Sequence, residues 1–403
     1  MVEIIHHKYI HLKEIQAMKD YTTVLGNLLS SFPRSEFEKS VQELKGDHRT
    51  RVLSTYDLLK TLIYGQVTQA FSVREIEASL SSNSPLLYHN GMNPVKRSTL
   101  CDALKKRDQA IFEKAFYALV DKAKYLSSKA GKRFKSPLTI IDASTIELCL
   151  KRFNWAKFRT TKGALKLHLA MDGDGCFPEQ VQITTGAVHE VNKFSELADR
   201  EDRIYVVDRG YIDFKILYDI NLNNSIFVTR MKKNCQFELV SIDSFSKKGP
   251  IRLDTKVKLS NVEGRTDYPT ELRRVVYHDE ETDRDFVFMS NSFTLTAQEI
   301  ADIYKARWQV ELFFKWIKQN LKIKTFLGTS QNAVFIQIWV ALIVFMLVWI
   351  HKSLANFNVS AQKIMQVMKT TLLTKRSISD LFKAHDPPRC IPSNQLFFVG
   401  FKN

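Results

Sequence analysis

Apolar positions recur at helical spacing through the first third of the chain and at strand spacing through its middle. Residues 56–67 carry the repeat of a buried helix, and Ser72-Val-Arg-Glu75 and Thr99-Leu-Cys-Asp102 are capping-box patterns that set helix starts before Ile76 and Ala103. Residues 1–130 therefore read as a small helical domain. From Ser136 the period changes. Leu138-Thr-Ile-Ile-Asp142 is a short, β-branched run ending in an acid, and residues 164–171 and 178–185 are further strand candidates. Asp172-Gly-Asp174-Gly between them is a hairpin signal; it begins like a calcium loop but lacks the closing bidentate Glu. After an acidic helical segment at 192–199, Arg203-Ile-Tyr-Val-Val-Asp208 reads as a buried strand that also ends in an aspartate. Gly210 permits a sharp exit into a helix over 213–222. Residues 232–288 read as short strands and turns, with 253–259 and 272–277 as the clearest strands.

Helical spacing returns at 304–318. On a wheel of about 100° per residue, Tyr304, Arg307, Glu311 and Lys318 fall within an arc of roughly 60°. Ile303, Ala306, Val310, Phe313, Phe314, Ile317 and Leu321 form the apolar face beside it. A carboxylate on that seam is partly desolvated yet reachable, and the flanking cations can hold phosphates. The plainer reading is of solvated i,i+4 pairs, Arg307 with Glu311 and Glu311 with Lys315, which contribute little. Residues 333–350 are apolar except for Gln337, long enough for a membrane span. Standing alone and without asymmetric flanking charge, the stretch reads instead as the central helix of a large core, packed under the 304–318 helix.

Charge changes the picture more than composition does. The 403 residues are 44% hydrophobic and 25% charged, as in a globular chain, but the formal net charge is +16, which points to a polyanionic partner. Most of the excess lies in two runs, residues 96–135 and 151–166. Lys96, Arg97, Lys105, Lys106 and Arg107 in the first, and Lys151, Arg152, Lys157, Arg159 and Lys162 in the second, are the candidate DNA contacts. Phe153, Trp155 and Phe158 are interleaved with the second set, as base stacking beside phosphate contacts requires. The five cysteines are odd in number and widely spaced, so neither a disulfide framework nor a zinc site is expected. With no apolar leader near His6, His7, Lys8 and His11, a reduced cytoplasmic protein is expected.

Two buried strands ending in Asp142 and Asp208, in one domain with the Glu311 helix, form the constellation that matters. Mg2+ and Mn2+ take carboxylate oxygens, and phosphoryl transfer by two ions needs a shared carboxylate flanked by others. A lone aspartate after a strand more often forms a turn. Three acids placed in this way favour metal ligation.

These residues resemble the bacterial insertion-sequence transposases of the DDE type, specifically the IS-four family with its Y-R-E-K signature. The likeness is carried by Ile140-Ile-Asp142-Ala-Ser-Thr, Val206-Val-Asp208-Arg-Gly-Tyr, Phe227-Val-Thr-Arg-Met-Lys232 and Ile303-Tyr-Lys-Ala-Arg-Trp-Gln-Val-Glu-Leu-Phe-Phe-Lys315. It implies an α/β fold: a ribonuclease-H-like catalytic core over 131–330 with a β-rich insertion at about 232–288. A helical DNA-binding domain over 1–130 precedes it, and a buried core helix and helical C-terminal region over 331–403 follow. Asp142 would end the first strand and Asp208 the fourth. Together with Glu311 they would hold two Mg2+ or Mn2+ ions per site, while Tyr304, Arg307 and Lys318 clamp phosphates near the transposon end. The implied activity is cleavage at terminal inverted repeats, a hairpin intermediate, and strand transfer into double-stranded target DNA by a homodimer, with no membrane partner and with nucleoid association in the bacterial cytoplasm.

Relatives in that family place a base-stabilising tryptophan in the insertion. Trp155, Trp308, Trp316, Trp339 and Trp349 all lie elsewhere, which leaves Phe237, Tyr268 and Tyr277 as aromatic candidates. His168, on the second strand, reads as an ordinary sheet histidine, with reach to the acids as the alternative. Three rival functions share parts of this pattern: a nuclease that cuts without joining, a DNA-binding regulator with inert acids, and a membrane-anchored binding protein.

Overall fold

The computed structural model describes residues 22–70, 72–129, 131, 134, 136–320, 326–355 and 359–382. Leu321 of the apolar stripe, Lys132, Arg133 and Lys135 of the first basic run, Cys390 and the N-terminal histidines lie outside the described residues.

Local capping sets the early helices. α1 (Val24–Leu29) opens on Thr23, α2 spans Arg34–Glu43, and α3 (Thr55–Val67) opens on Ser54, whose hydroxyl accepts from the Asp57 amide at 3.0 Å. α4 (Val73–Ser82) opens on Ser72, which accepts from the Glu75 amide at 3.2 Å as its sequence pattern requires. α5 spans Ser84–Leu87. α6 runs over Arg97–Lys106, so Thr99 lies inside the helix and does not cap it; the Arg97 amide is accepted instead by Glu77 from α4, at 3.0 Å. α7 (Gln109–Ser127) opens on Asp108.

The middle of the chain builds a nine-stranded sheet in the order β3-β2-β1-β4-β5-β9-β8-β7-β6. Its strands are β1 (Leu138–Leu148), β2 (Gly163–Asp172), β3 (Phe177–Thr185), β4 (Ile204–Val207), β5 (Ile226–Arg230), β6 (Phe237–Phe245), β7 (Ile251–Leu259), β8 (Leu272–Asp279) and β9 (Arg284–Ser290). β4 lies parallel to both β1 and β5, and the remaining pairs are antiparallel. The short helices α8 (Phe194–Leu197), α9 (Phe214–Leu222) and α10 (Val262–Asp267) fill its connections. Residues 232–288 extend this sheet, because β9 returns antiparallel against β5.

β1 differs from expectation. It does not stop at Asp142, because β2 pairs with it from Asp172 opposite Thr139 to Gly163 opposite Leu148. Its other neighbour, β4, pairs only as far as Ile141. Asp142 is therefore mid-strand, at the level where one side of the strand loses its partner.

The chain closes with α11 (Ala297–Ala306), α12 (Trp308–Asn320), α13 (Gln331–Ala355) and α14 (Ala361–Thr371). α13 runs between α7 and α3, and 89% of its most apolar window is buried inside the protein. That is the core-helix reading of residues 333–350. Its one interior polar group is satisfied: the Gln337 side-chain oxygen accepts from the Leu327 amide at 2.8 Å. Asn332 stitches α6 to α7, donating to the Leu104 and Arg107 carbonyls at 2.9 and 2.6 Å and accepting from the Gln109 amide at 3.2 Å. α13 also meets α12, where the Phe345 and Phe313 rings stand edge to face at 4.8 Å. One continuous apolar cluster joins the helices at both ends of the chain to one face of the sheet, and a second cluster covers the other face.

The strands of residues 232–288 also position the helix that follows. Arg273 on β8 forms a bidentate pair with Asp254 on β7, at 2.9 and 2.7 Å, and donates to the carbonyls of Ser292 and Leu295 just before α11. Both side chains are over nine-tenths buried. Arg273→Ala, which strands the buried Asp254, should cost about 3–5 kcal/mol in urea unfolding, and Arg273→Met with Asp254→Leu much less. A loss under about 1 kcal/mol for the single variant would show that the pair does not hold this junction.

Candidate active site at the ends of the parallel strands

Two aspartates are brought together by strand register. Ile141 on β1 pairs with Val207 on β4, so the next residues along the two parallel strands are Asp142 and Asp208. Glu311 arrives from the helices. The 304–318 segment is two helices instead of one, because Arg307 stands in a turn between α11 and α12, with Arg307 N to Tyr304 O and Val310 N to Arg307 O both at 3.1 Å. These tighter i→i+3 bonds mark the junction of the two helices.

Three of the four stripe residues converge on the acids. The Tyr304 hydroxyl donates to Asp208 Oδ1 at 3.3 Å. The Arg307 guanidinium donates through one nitrogen to Asp142 Oδ2 at 3.4 Å and through another to Glu311 Oε1 at 2.5 Å. The same guanidinium lies over the Tyr304 ring, 5.6 Å from its centre. Glu311 stands in the first turn of α12, where a carboxylate is favoured by the exposed amides. Lys318 stands half-buried in the last turn of α12.

Burial dominates the electrostatics. It pushes the Asp142 carboxyl up to about 6; the Ala143 amide, donating at 2.8 Å, and Arg307 pull it down, while the charges of Glu190 and Asp208 raise it further. Burial likewise pushes the Tyr304 hydroxyl up to about 12, which keeps it a donor.

Residues 133–347, more than half of the chain, match the family described as the transposase DDE domain. The chain belongs to the DDE transposase family. Residues 21–93 match a second family, DUF4372, a domain of unknown function. The chain is 29% identical over 257 residues to a transposase for insertion sequence element IS5377 of Geobacillus stearothermophilus, covering 63% of this chain and 67% of the relative. It is also 29% identical over 312 residues to the transposase y4zB of Sinorhizobium fredii, covering 74% and 85%. A piggyBac transposase synaptic complex with hairpin DNA superposes with a TM-score of 0.47 at 10% identity, covering 92% of this chain and 84% of that one.

Other expected residues of the transposase are placed differently. Arg107 is no surface cation: its side chain is buried and donates to Thr50 Oγ1 at 2.7 Å and to the Leu53 carbonyl at 2.9 Å, fixing the loop before α3. Lys96, Arg97, Lys105 and Lys106 are exposed, as are Lys151, Arg152, Lys157, Arg159 and Lys162 on the loop between β1 and β2. The aromatics of that loop serve as its anchors. Phe153 is buried against Phe326, and the Trp155 indole donates to the Thr329 carbonyl at 2.7 Å. His168 is fully buried, bonded to Thr184 Oγ1 at 2.9 Å, and burial lowers it to about 4, so it is a neutral sheet histidine. Tyr268 and Tyr277 are buried, which leaves Phe237, 37% exposed, as the accessible aromatic of the three. Gly210 is not needed for a left-handed turn; a 3-10 turn over Arg209–Tyr211 supplies the exit after Asp208.

Sequence reasoning passed over two groups, Glu190 and Tyr211. Glu190 lies in the connection after β3, where its charge raises the Asp142 carboxyl, and Tyr211 belongs to the same Asp-Arg-Gly-Tyr run as Asp208.

Transposases of this family use divalent metal ions. The donors here, carboxylate oxygens alone, suit a hard cation. Among the described residues no three His, Cys, Asp or Glu side chains stand close enough together to enclose one, since the Arg307 guanidinium lies between Asp142 and Glu311. A positive charge thus already occupies the gap between two of the acids.

The raised proton affinity of Asp142 has a stability consequence. Because the folded-state value lies above the ordinary aspartate value of 3.8, the unfolded chain releases this proton first, and stability falls as pH rises between about 4 and about 6. In metal-free buffer Asp142→Asn should melt above the wild type at pH 7.5, and the gap should close by about pH 4. A lower melting temperature for the variant at pH 7.5 would mean that the Arg307 contact outweighs the burial.

Proposed function

We propose that the transposase cuts both ends of an insertion sequence of the IS-four type and joins the freed 3′ hydroxyls to target DNA. Asp142, Asp208 and Glu311 are the ligands of two ions, Mg2+ or Mn2+. The reading is supported chiefly by the three acids lying on one hydrogen-bonded net made by Tyr304 and Arg307. When bound, the ions supply Lewis-acid stabilisation of the charge that builds at the reacting phosphate.

The protein's own groups account for the rest. Tyr304 fixes one oxygen of Asp208 and leaves the other for a ligand. Arg307, charged at any working pH and planar, compensates the acids at rest and suits bidentate capture of a phosphate. Lys318, further along α12, meets the backbone of the same strand. The exposed lysines and arginines of α6 and of the β1–β2 loop extend a path for duplex DNA, giving affinity and register without sequence information. The order β3-β2-β1-β4-β5 is that of a ribonuclease-H-like core over 131–330, with 1–130 as the DNA-binding domain and 331–403 as support. Pairing of two ends by a homodimer, cut-and-paste through a hairpin, and work at the bacterial nucleoid complete the proposal.

The test uses the DNA that flanks the gene. A supercoiled plasmid carrying those ends should be cleaved in Mg2+ and give joined strand-transfer products; nicking without joining would identify a nuclease, and no nicking an inert regulator. Asp142→Asn, Asp208→Asn and Glu311→Gln should each lower cleavage by on the order of 10³-fold or more while retaining gel-shift affinity for the ends. Arg307→Ala should weaken both cleavage and binding, and Arg307→Lys should not restore the bidentate contact.

A further inference from the structure

The loop between α2 and α3, residues 44–54, falls in the stretch that matches a domain of unknown function, and nothing in the transposase reading uses it. α2 ends with Lys45 in the left-handed region at φ +51°, its amide donating to the Gln42 carbonyl at 3.1 Å and the Gly46 amide to the Val41 carbonyl at 2.7 Å. A turn then closes from the Thr50 amide to the Asp47 carbonyl at 3.0 Å and holds Arg49 at φ +56°. Glycine takes this conformation at less cost than a residue with a side chain, yet a lysine and an arginine stand here.

The loop is pinned from inside. Asp47 Oδ1 accepts from the Thr55 amide and from Thr55 Oγ1, both at 2.7 Å. Arg107, at the end of α6, donates to Thr50 Oγ1 and to the Leu53 carbonyl and stands 3.7 Å from Asp47. Gly46 lies so close to Ile111 of α7 that a Cβ there would come within 2.7 Å of it. Acids around the loop are engaged: Asp47 in these bonds, Glu43 with Lys114 at 2.7 Å, and Asp108 as the cap of α7. Outward, Lys45, His48, Arg49 and Arg51 are exposed, and among the described residues Lys45, Arg49 and Arg51 form no ion pair. Lys105 and Lys106, in the last turn of α6, are exposed at the other end of the Arg107 link.

We propose that this loop is a second grip on duplex DNA: Arg49 and Arg51 meet backbone phosphates of the same duplex that Lys105 and Lys106 hold, and Arg107 sets the spacing between the two elements. Cations fixed in place before binding lose less freedom when a phosphate arrives than the same side chains on a loose loop, which gives the left-handed backbone its use. This rests on the reading that α6 lies on DNA. The plain alternative is a structural turn whose charges are merely solvated.

The experiment measures binding of the full-chain transposase in EDTA to duplex carrying the flanking ends, by fluorescence anisotropy between about 50 and 200 mM salt, with melting temperatures alongside. Arg51→Ala should weaken binding about fivefold and lower the slope of log affinity on log salt by about 0.9, the value of one phosphate contact. Arg49→Gly should do the same while melting at or above the wild-type temperature, because glycine relieves the left-handed backbone; a turn kept only for structure would gain that stability and lose no affinity. Arg51→Ala, which leaves the backbone alone, serves if Arg49→Gly folds poorly. Unchanged affinity and slope in both variants, with weaker binding by Lys105→Ala combined with Lys106→Ala, would overturn the loop and leave α6 on DNA. A loss of affinity at the wild-type slope would overturn it too, since no phosphate contact went missing. If the lysine pair also binds as the wild type does, both readings fall together.

Discussion

One guanidinium joins the sheet to the helices at the place where the acids meet. Arg307 reaches Asp142 on β1 and Glu311 on α12 at once, from a turn where the helix path tightens. A single helical stripe can present Tyr304, Arg307 and Glu311 together, and the i→i+3 turn at Arg307 keeps all three at the acids. An arginine suits this position because its charge does not titrate and its planar fork serves two carboxylates without rearrangement. Three acids gathered without it would repel one another and raise their own proton affinities, as burial already does to Asp142.

The neighbourhood is held stiffly because several elements over-determine it. β1 carries Asp142 past the end of β4 on the support of β2, and the parallel register of β1 with β4 sets Asp208 beside it. α11 is aimed by the Arg273–Asp254 pair and by the carbonyls that Arg273 also takes. The strands of residues 232–288 therefore do more than fill a long gap in the chain. They close the free edge of β5 and set the start of the helix that brings Glu311. From below, α13 meets α12 through Phe345. Much of the apolar core thus serves to fix a small polar cluster at one rim of the sheet.

The placement of charge has the same logic. Exposed cations of the two basic runs stand at α6, with Lys96, Arg97, Lys105 and Lys106, and on the loop between β1 and β2. Arg107, although part of the basic run, is consumed by the loop it supports. Trp155 and Phe153 are likewise consumed in anchoring, so the loop offers charge outward and apolar surface inward. Such a surface binds a phosphate backbone without reading sequence.

Several features were legible in the residues alone because they are local. Helix starts follow from a hydroxyl and an amide a turn apart, as at Ser72. The buried character of α13 follows from an unbroken apolar surface, and the meeting of Tyr304, Arg307 and Glu311 from their shared stripe. Asp142 and Asp208 could be named because an acid closing a β-branched run is conspicuous. The rest depended on which elements pair. That β1 continues beyond Asp142, that Asp208 lies opposite it, that residues 232–288 join the main sheet, and that Arg107 turns inward all follow from contacts between positions far apart in the chain. Glu190 shows the limit plainly, since its pairing with Lys166 depends on how the connection after β3 packs against β2.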